Sequence, residues 1–485
     1  MSVHIPVTSN GAITLLTAGK YCPDNINVRV NVPYDAEQMP DFVDYADTIQ
    51  DAINCNVSGS GRVGVTAVGD VTHICLYDDI STQDSIVIDT ECVLHLNGHT
   101  LQFTAGAAYL NVTAKTTIDG KVPGSEITKS GVTYANSAKL VEVKGAHLTI
   151  LGGKYSMANI TSATFVTPIR GENATGTKID MVGCEVVSSG TGSAATKCVQ
   201  ALCDTNIQGC ELVANSVSSG ITAVHTMGTL SVKNTNITVT AGGVATGIEN
   251  ANANNTTVSN CTIKVDTKKQ GAFAVGINCI PNATTIITDC VIDVDGYSDV
   301  GDTIYSACAV NGQANSTVYI NGGTYWGARE ALDIDGTARI DGGVYTGCQH
   351  GGCYLSGSDV KVKNATFRNV EYTGDCGWSN SHFGAAYCGQ SATANVEFDN
   401  CRFEAEVLRG NNYGLVVKGD TTNGAKVYIS NSRVGDNFAY DLRVDGGETL
   451  YIGENVVYRQ DAVLNNGTIT FTGDSYGNWL DDTFG

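Results

Sequence analysis

The chain has 485 residues, of which 16% are charged, 56 are Gly and 7 are Pro, with a formal net charge of −21. Such an acidic surface argues against nucleic acid and anionic membranes as partners, and no stretch is long and apolar enough to span a bilayer. The Gly, Thr, Asn and Val richness suits a β-solenoid with many tight corners, whose long thin core relaxes the usual count of two to four domains. The odd number of cysteines, 17, carries no paired CxxC metal spacing, so neither zinc nor another cofactor is expected. Buried thiols are the first reading for these residues, because free Cys behaves as a small hydrophobe.

Residues 1–35 read as a small β module. Ile13 to Leu16 and Ile26 to Val32 are apolar runs joined by a turn-rich segment through Lys20, Cys22 and Pro23. The phrase from Ile13 to Cys22, followed by Asn25 to Val32, resembles short modules in structural proteins of phages and prophages of Firmicutes. The start of the chain lacks a basic region followed by a long apolar run, so no signal peptide is expected.

Residues 36–85 are expected to form a transition. The spacing of Phe42, Tyr45, Ala46, Ile49, Ala52 and Ile53 predicts a helix over 36–54, which would cap an otherwise open solenoid end. Short strands follow between Val63 and Phe103.

The middle of the chain carries one repeated phrase. An apolar residue is followed by any residue, then Gly, Asn or Asp, then a small residue, any residue, and an apolar residue. It runs from Ile150-Leu-Gly152-Gly153-Lys-Tyr155 and Met181-Val-Gly183-Cys184-Glu-Val186 to Phe398-Asp-Asn400-Cys401-Arg-Phe403 and Ile429-Ser-Asn431-Ser432-Arg-Val434, eleven copies at spacings of 20 to 36 residues. A fixed phrase at such periods marks a solenoid. The residue before the small position tolerates a left-handed backbone, so each copy reads strand, sharp corner, strand, with the small residue turned inward. A second motif lies between the corners. It reads Val275-Gly276-Ile277, Cys308-Ala309-Val310, Leu332-Asp333-Ile334, Cys353-Tyr354-Leu355, Ala386-Tyr387-Cys388, Leu415-Val416-Val417 and Leu442-Arg443-Val444, with the flanking residues expected inward and the middle one outward.

The stretch Ile86 to Phe103, ending in Leu96-Asn-Gly-His-Thr-Leu101-Gln-Phe103, resembles the opening coil of right-handed parallel β-helices. With the eleven corner phrases, the chain over about 86–460 resembles the pectate-lyase-like β-helix superfamily. The resemblance implies an all-β, single-stranded, right-handed parallel β-helix with three strands per rung. The corner phrase then falls between the second and third strands, and the Asp333 motif on the first. Residues 461–485, aromatic and acidic, are expected to form a C-terminal cap or a subunit contact.

In this fold long loops leave between the third and first strands, so ligands are expected on the first-strand face. Adjacent rungs there would present Arg329, Glu330, Asp333, Asp335, Tyr354 and Tyr387, flanked by Trp326, Trp378 and His382. Aromatic rings stack on the apolar face of a pyranose and carboxylates accept its hydroxyls. Arg329, Trp326, Tyr354, Trp378, His382 and Tyr387 are therefore the candidate glycan-binding set. A hydrolase would need two facing carboxylates roughly 5 to 9.5 Å apart, for which Asp333 with Glu330 or with Asp375 are the candidates. The acidic loop from Asp293 to Asp302 lacks EF-hand spacing and reads as solvated rather than as a calcium site. The clustered calcium-binding aspartates and catalytic arginine phrase of pectate lyases are missing, as are the Asn-Thr-Asp, Asp-Asp, Gly-His-Gly and Arg-Ile-Lys phrases of polygalacturonases.

These readings favour a non-enzymatic phage virion protein: a fibre, spike or head-fibre subunit, made in the host cytoplasm. It would be a homotrimer joined to other virion proteins through residues 1–35, presenting a β-helix to host surface polysaccharide without inserting into the membrane. A polysaccharide-depolymerising spike and a bacterial surface adhesin are the alternatives.

Overall fold

The structure is a computed structural model. It describes residues 40–472 except 43, 58–60, 135, 162–163, 192–194, 218–219, 253, 270–271, 297–306, 349–350, 371–382, 390, 392, 407–411, 419–423 and 436. The N-terminal module, the C-terminal tail from 473, and the candidates Asp375, Trp378 and His382 lie outside the described residues.

The chain winds as a parallel β-helix with three strands per rung. One rung serves as the pattern: Glu330–Ile334, then Thr337–Asp341, then Val344–Gly347, before the next rung begins at Gly351–Leu355. Like strands stack in parallel on like strands and build three sheets of 16, 18 and 14 strands. They are called here sheets one, two and three, in the order the chain visits them within a rung. Parallel pairing starts where Val71–Leu76 meets Cys92–His95, and the final described strand is Thr468–Phe471. One continuous apolar core runs the length of the stack.

The corner between sheets two and three behaves as the repeated phrase requires. All eleven residues before the small position have positive φ, from 48° at Asn431 to 77° at Gly342. At that dihedral an ordinary side chain crowds its own carbonyl, while Gly has no Cβ and Asn or Asp can bond locally. The small residue that follows points inward: Cys184, Cys210, Thr235, Cys261, Cys290, Ala365, Cys401 and Ser432 are all buried. Its chemistry is used. Cys184, Cys210, Thr235, Cys261, Cys290, Cys401 and Ser432 each donate to the carbonyl two residues back, at 2.6 to 3.4 Å. That carbonyl also accepts the amide of the preceding rung's corner residue, as Gln208 O does from Gly183 N at 2.9 Å and Ser430 O from Asn400 N at 3.2 Å, so the thiol or hydroxyl fills its second lone pair. The fifteen cysteines among the described residues are free thiols, and all but Cys55 are buried.

Where the small position is Gly, the phrase ends in Tyr: Gly153 with Tyr155, Gly323 with Tyr325, Gly343 with Tyr345. A Cβ on Gly343 would lie 2.7 Å from the Tyr345 hydroxyl, and one on Gly323 2.8 Å from that of Tyr325. The phenol takes the space a thiol occupies elsewhere. The final apolar residues of four successive copies stack inside the helix, with ring centres of Tyr325–Tyr345 at 5.0 Å, Tyr345–Phe367 at 5.3 Å and Phe367–Phe403 at 5.6 Å. Each such pair adds about 0.5–1.5 kcal/mol beyond its area.

Near the start the structure departs from the sequence reading. Of the helix expected over 36–54, the described residues form only Ile49–Ile53, opened by Thr48, whose side chain accepts from the Asp51 amide. Asp44–Ala46 is instead a strand, antiparallel to Val63–Val65. An amphipathic spacing also fits a chain whose first part is drawn onto a free sheet edge, and edge pairing satisfies more backbone groups than an isolated turn of helix. Toward the other end, Asp441 is fully buried and receives Arg459 through Nε at 3.1 Å, Nη2 at 2.7 Å and the backbone amide at 2.6 Å. Beyond the last full copy, Asn455 still adopts φ 54° and donates to the Asn431 carboxamide oxygen at 2.9 Å. The asparagine stack therefore outlasts the phrase by one rung.

The corner can be tested at Asn260, φ 52°. Asn260→Ala is expected to destabilise by about 1–2 kcal/mol and Asn260→Gly by well under 1 kcal/mol. Thermal melts or hydrogen exchange of the flanking strands give the order; equal effects of the two changes would show that the dihedral is not what selects the residue.

Candidate functional site

Strand register fixes which side chains share the outer face of sheet one. One outward column runs Asn111, Glu142, Arg170, Gln200, His225, Glu249, Asn278, Asn311, Asp333, Tyr354, Tyr387, Val416 and Arg443, each directly paired with the next. Neighbours in such a column stand one strand spacing apart, about 4.8 Å. In two rungs the outward residue stands two places beyond the middle of the sequence motif. The outward residues are Asn278 and Asn311, not the Gly276 and Ala309 of Val275-Gly-Ile277 and Cys308-Ala-Val310. The small residues there pack under the sheet, where a Cβ on Gly276 would come within 2.4 Å of Ile292.

The structure brings Arg329, Glu330, Asp333, Asp335, Tyr354 and Tyr387 together on this sheet, but it largely closes them off. Glu330 is 1% exposed and pairs with Arg329, Nε to Oε2 at 3.1 Å. Burial pushes the Glu330 carboxyl up to about 7, against the pull of Arg329. Burial, with Glu330 and Asp335 as like charges, pushes Asp333 up to about 8. Burial alone would lower the Arg329 guanidinium, but Glu330 and Asp333 outweigh it and raise it. Asp335 is exposed and accepts from the Ser356 hydroxyl. Tyr354 and Tyr387 point outward as expected, yet their rings stack on each other at 5.4 Å and 16°, and they are 8% and 2% exposed. With Tyr413 and Val416 they form a second apolar cluster outside the main core. Their ring faces are thus spent on each other, not open for a sugar. Trp326 stands on sheet three, one corner away, where its Nε1 donates to Asp295 at 3.3 Å. Among the described residues no group of three or more His, Cys, Asp and Glu is placed to hold a metal ion.

The earlier rungs of the same column, which sequence reasoning missed, are more open. Lys139 meets Glu142 at 2.5 Å, and Arg170 bridges Glu142 at 3.5 Å and Glu172 at 2.6 Å. Burial opposes ionisation of Glu142, but Lys139, Glu172 and Arg170 hold its carboxyl below the usual range. His225 Nε2 lies 3.7 Å from Glu249, whose other oxygen accepts from Asn278 at 2.8 Å. Asn311 and Gln313 both donate to the Asn278 carboxamide oxygen at 3.0 Å. Burial and Lys197 lower the His225 pKa. Arg170, His225 and Glu249 remain 21%, 17% and 26% exposed. The result is a row of half-buried charged and amide groups, held by one another along one face, with hydrogen-bonding capacity still turned to solvent. The signal was present: Val141-Glu-Val143, Ile169-Arg-Gly171, Val224-His-Thr226, Ile248-Glu-Asn250 and Ile277-Asn-Cys279 share the pattern that marked Asp333.

No protein-family model matches the chain, and no curated protein matches it. Among solved structures it is similar to the tailspike protein gp49 of the Acinetobacter baumannii bacteriophage Fri1, a capsular polysaccharide depolymerase, with 9% identity and a TM-score of 0.21. The match covers 79% of this chain and 58% of that one, so the chain spans less than two thirds of that tailspike.

The buried carboxyls give a pH dependence of known sign. The unfolded chain releases an Asp proton near pH 4, whereas folded Asp333 keeps it to about 8. Between these values the folded state binds more protons, so stability falls as pH rises and the loss is complete above the folded pKa. Asp333→Asn is expected to flatten this decline, its melting temperature gaining on the parent's from about pH 4 to 8. Parallel curves for the two proteins would show that Asp333 is not held protonated.

Proposed function

We propose that this chain is a bacteriophage virion protein, a fibre, spike or head-fibre subunit, that binds host-surface glycan along the outer face of sheet one. In this reading it assembles as a homotrimer and joins the particle through residues 1–35. The observation that carries the binding role is the partly exposed polar row from Arg170 to Asn311. Its side chains are fixed by mutual hydrogen bonds, so little rotamer freedom is lost when a ligand docks. Their rung spacing of about 4.8 Å is close to the length of one sugar residue in an extended chain. Amides and carboxylates in such a row can receive and donate the hydroxyl hydrogen bonds of successive residues.

The depolymerase alternative draws on Glu330 and Asp333, which lie three residues apart on one strand. Acid–base hydrolysis needs one carboxyl protonated and its partner ionised. Glu330 is 1% exposed and paired with Arg329, closed off from a glycosidic oxygen, which supports adhesion over cleavage.

The test uses purified protein and capsule or wall glycan of the host. The parent is expected to bind, and the pair Glu249→Ala with Asn278→Ala to bind at least tenfold more weakly with an unchanged melting profile. No new reducing ends or unsaturated uronate should accumulate. Product that forms with the parent and vanishes in Asp333→Asn would replace the adhesion reading with the depolymerase one, and undiminished binding by the double variant would remove the sheet-one site.

A further inference from the structure

One cation on the open face has no anionic partner of its own. Lys197 lies in the break between the short sheet-one strands Ala195–Thr196 and Val199–Ala201, and the pairs Val166 with Thr196 and Ile169 with Val199 set it opposite Thr167. Its Nζ lies 5.6 Å from the centre of the Phe165 ring. Among the described residues no carboxylate comes within 4 Å of this ammonium and no hydrogen bond reaches it. Lys233 and Lys363, which also lack an ion pair among the described residues, are exposed, whereas Lys197 is partly buried.

The carboxylates nearby are already engaged. Glu142 is held by Lys139 and Arg170, Glu172 by Arg170, and Glu249 by Asn278 with His225 beyond it. Two further polar atoms on the neighbouring sheet-one strands are buried without a hydrogen-bond partner: Thr167 Oγ1, and His225 Nδ1 on the strand that pairs with Val199–Ala201. Thr167 is 2% exposed. Burial lowers the Lys197 pKa, against the opposing pull of Glu249. A half-buried ammonium left unpaired is unfavourable, and an arriving anion would offset its lost hydration with a charge-assisted bond. Phe165 supplies a flat apolar surface next to that charge.

We propose that the open segment of sheet one is selective for acidic saccharides, with Lys197 holding the anionic group of one residue and Phe165 lying against its ring. The ligand carries isolated charges, as uronates or phosphodiester-linked sugars do. A dense polyanion would be repelled by the net charge of −21. This inference rests on the glycan-binding reading above.

Titration calorimetry separates the two. The probes are hexameric oligouronates, their carboxyl-reduced neutral counterparts, and a phosphodiester-linked wall glycan fragment. The parent is expected to bind at least one anionic probe and to prefer it to a neutral one by tenfold or more, with the preference shrinking as salt rises. Lys197→Met, which keeps the aliphatic stem, should lose the preference, and Lys197→Arg should keep most of it. Binding to the uronate and not the phosphodiester, or the reverse, identifies the anion. Equal binding of acidic and neutral probes by the parent, or an unchanged preference in Lys197→Met, overturns the Lys197 assignment and leaves glycan binding standing. A parent that binds none of these probes, nor the capsule and wall glycans above, overturns both.

Discussion

The fold depends on one backbone requirement met once per rung. Between sheets two and three the chain must reverse direction within two residues while keeping the next strand in register with the rung below. Only a left-handed residue does this, and only a small neighbour fits beside it. The thiol or hydroxyl of that neighbour donates to the carbonyl two residues back, beside the amide that carbonyl already accepts from the preceding rung. Because each corner stacks on the last, an insertion there would break every ladder above it. Length variation is pushed to the other connections, as in the wide gap between Thr366–Asn369 and Phe383–Gly389.

That constraint explains two features that otherwise look unrelated. Cysteine is common because it is small, apolar enough for the core, and still a weak donor for the corner carbonyl. Glycine replaces it where a tyrosine hydroxyl needs the same volume, as at Gly323 and Gly343. The inner aromatic stack and the thiol positions are alternative solutions to one packing problem.

The outer face of sheet one divides into two regimes. In the later rungs Tyr354, Tyr387, Tyr413 and Val416 cluster, and Glu330 is buried against Arg329. In the earlier rungs the column is charged, partly exposed and bound side to side. Identical backbone geometry therefore carries two different surfaces, and only the second keeps unspent polar groups. The aromatic and acidic residues that look most like a sugar site in one dimension are the ones most fully occupied with each other.

The sequence by itself determined the solenoid, its corner and the inward thiols, because these follow from local rules: a left-handed dihedral, a small neighbour and a period-two strand. It also placed Asp333, Tyr354 and Tyr387 on the first sheet, where alternation alone tells inside from outside. It misplaced the outward residue at Asn278 and Asn311, since a Gly276 or Ala309 that packs under the sheet looks the same in sequence as one turned outward. It read a longer helix before Ile53, since a free sheet edge competes with helix only in three dimensions. The tertiary structure decided which outward residues are open. Exposure depends on what stacks above and below, and rungs at uneven spacings give one-dimensional reading no means of lining Glu142, Arg170, His225, Glu249 and Asn278 into one column.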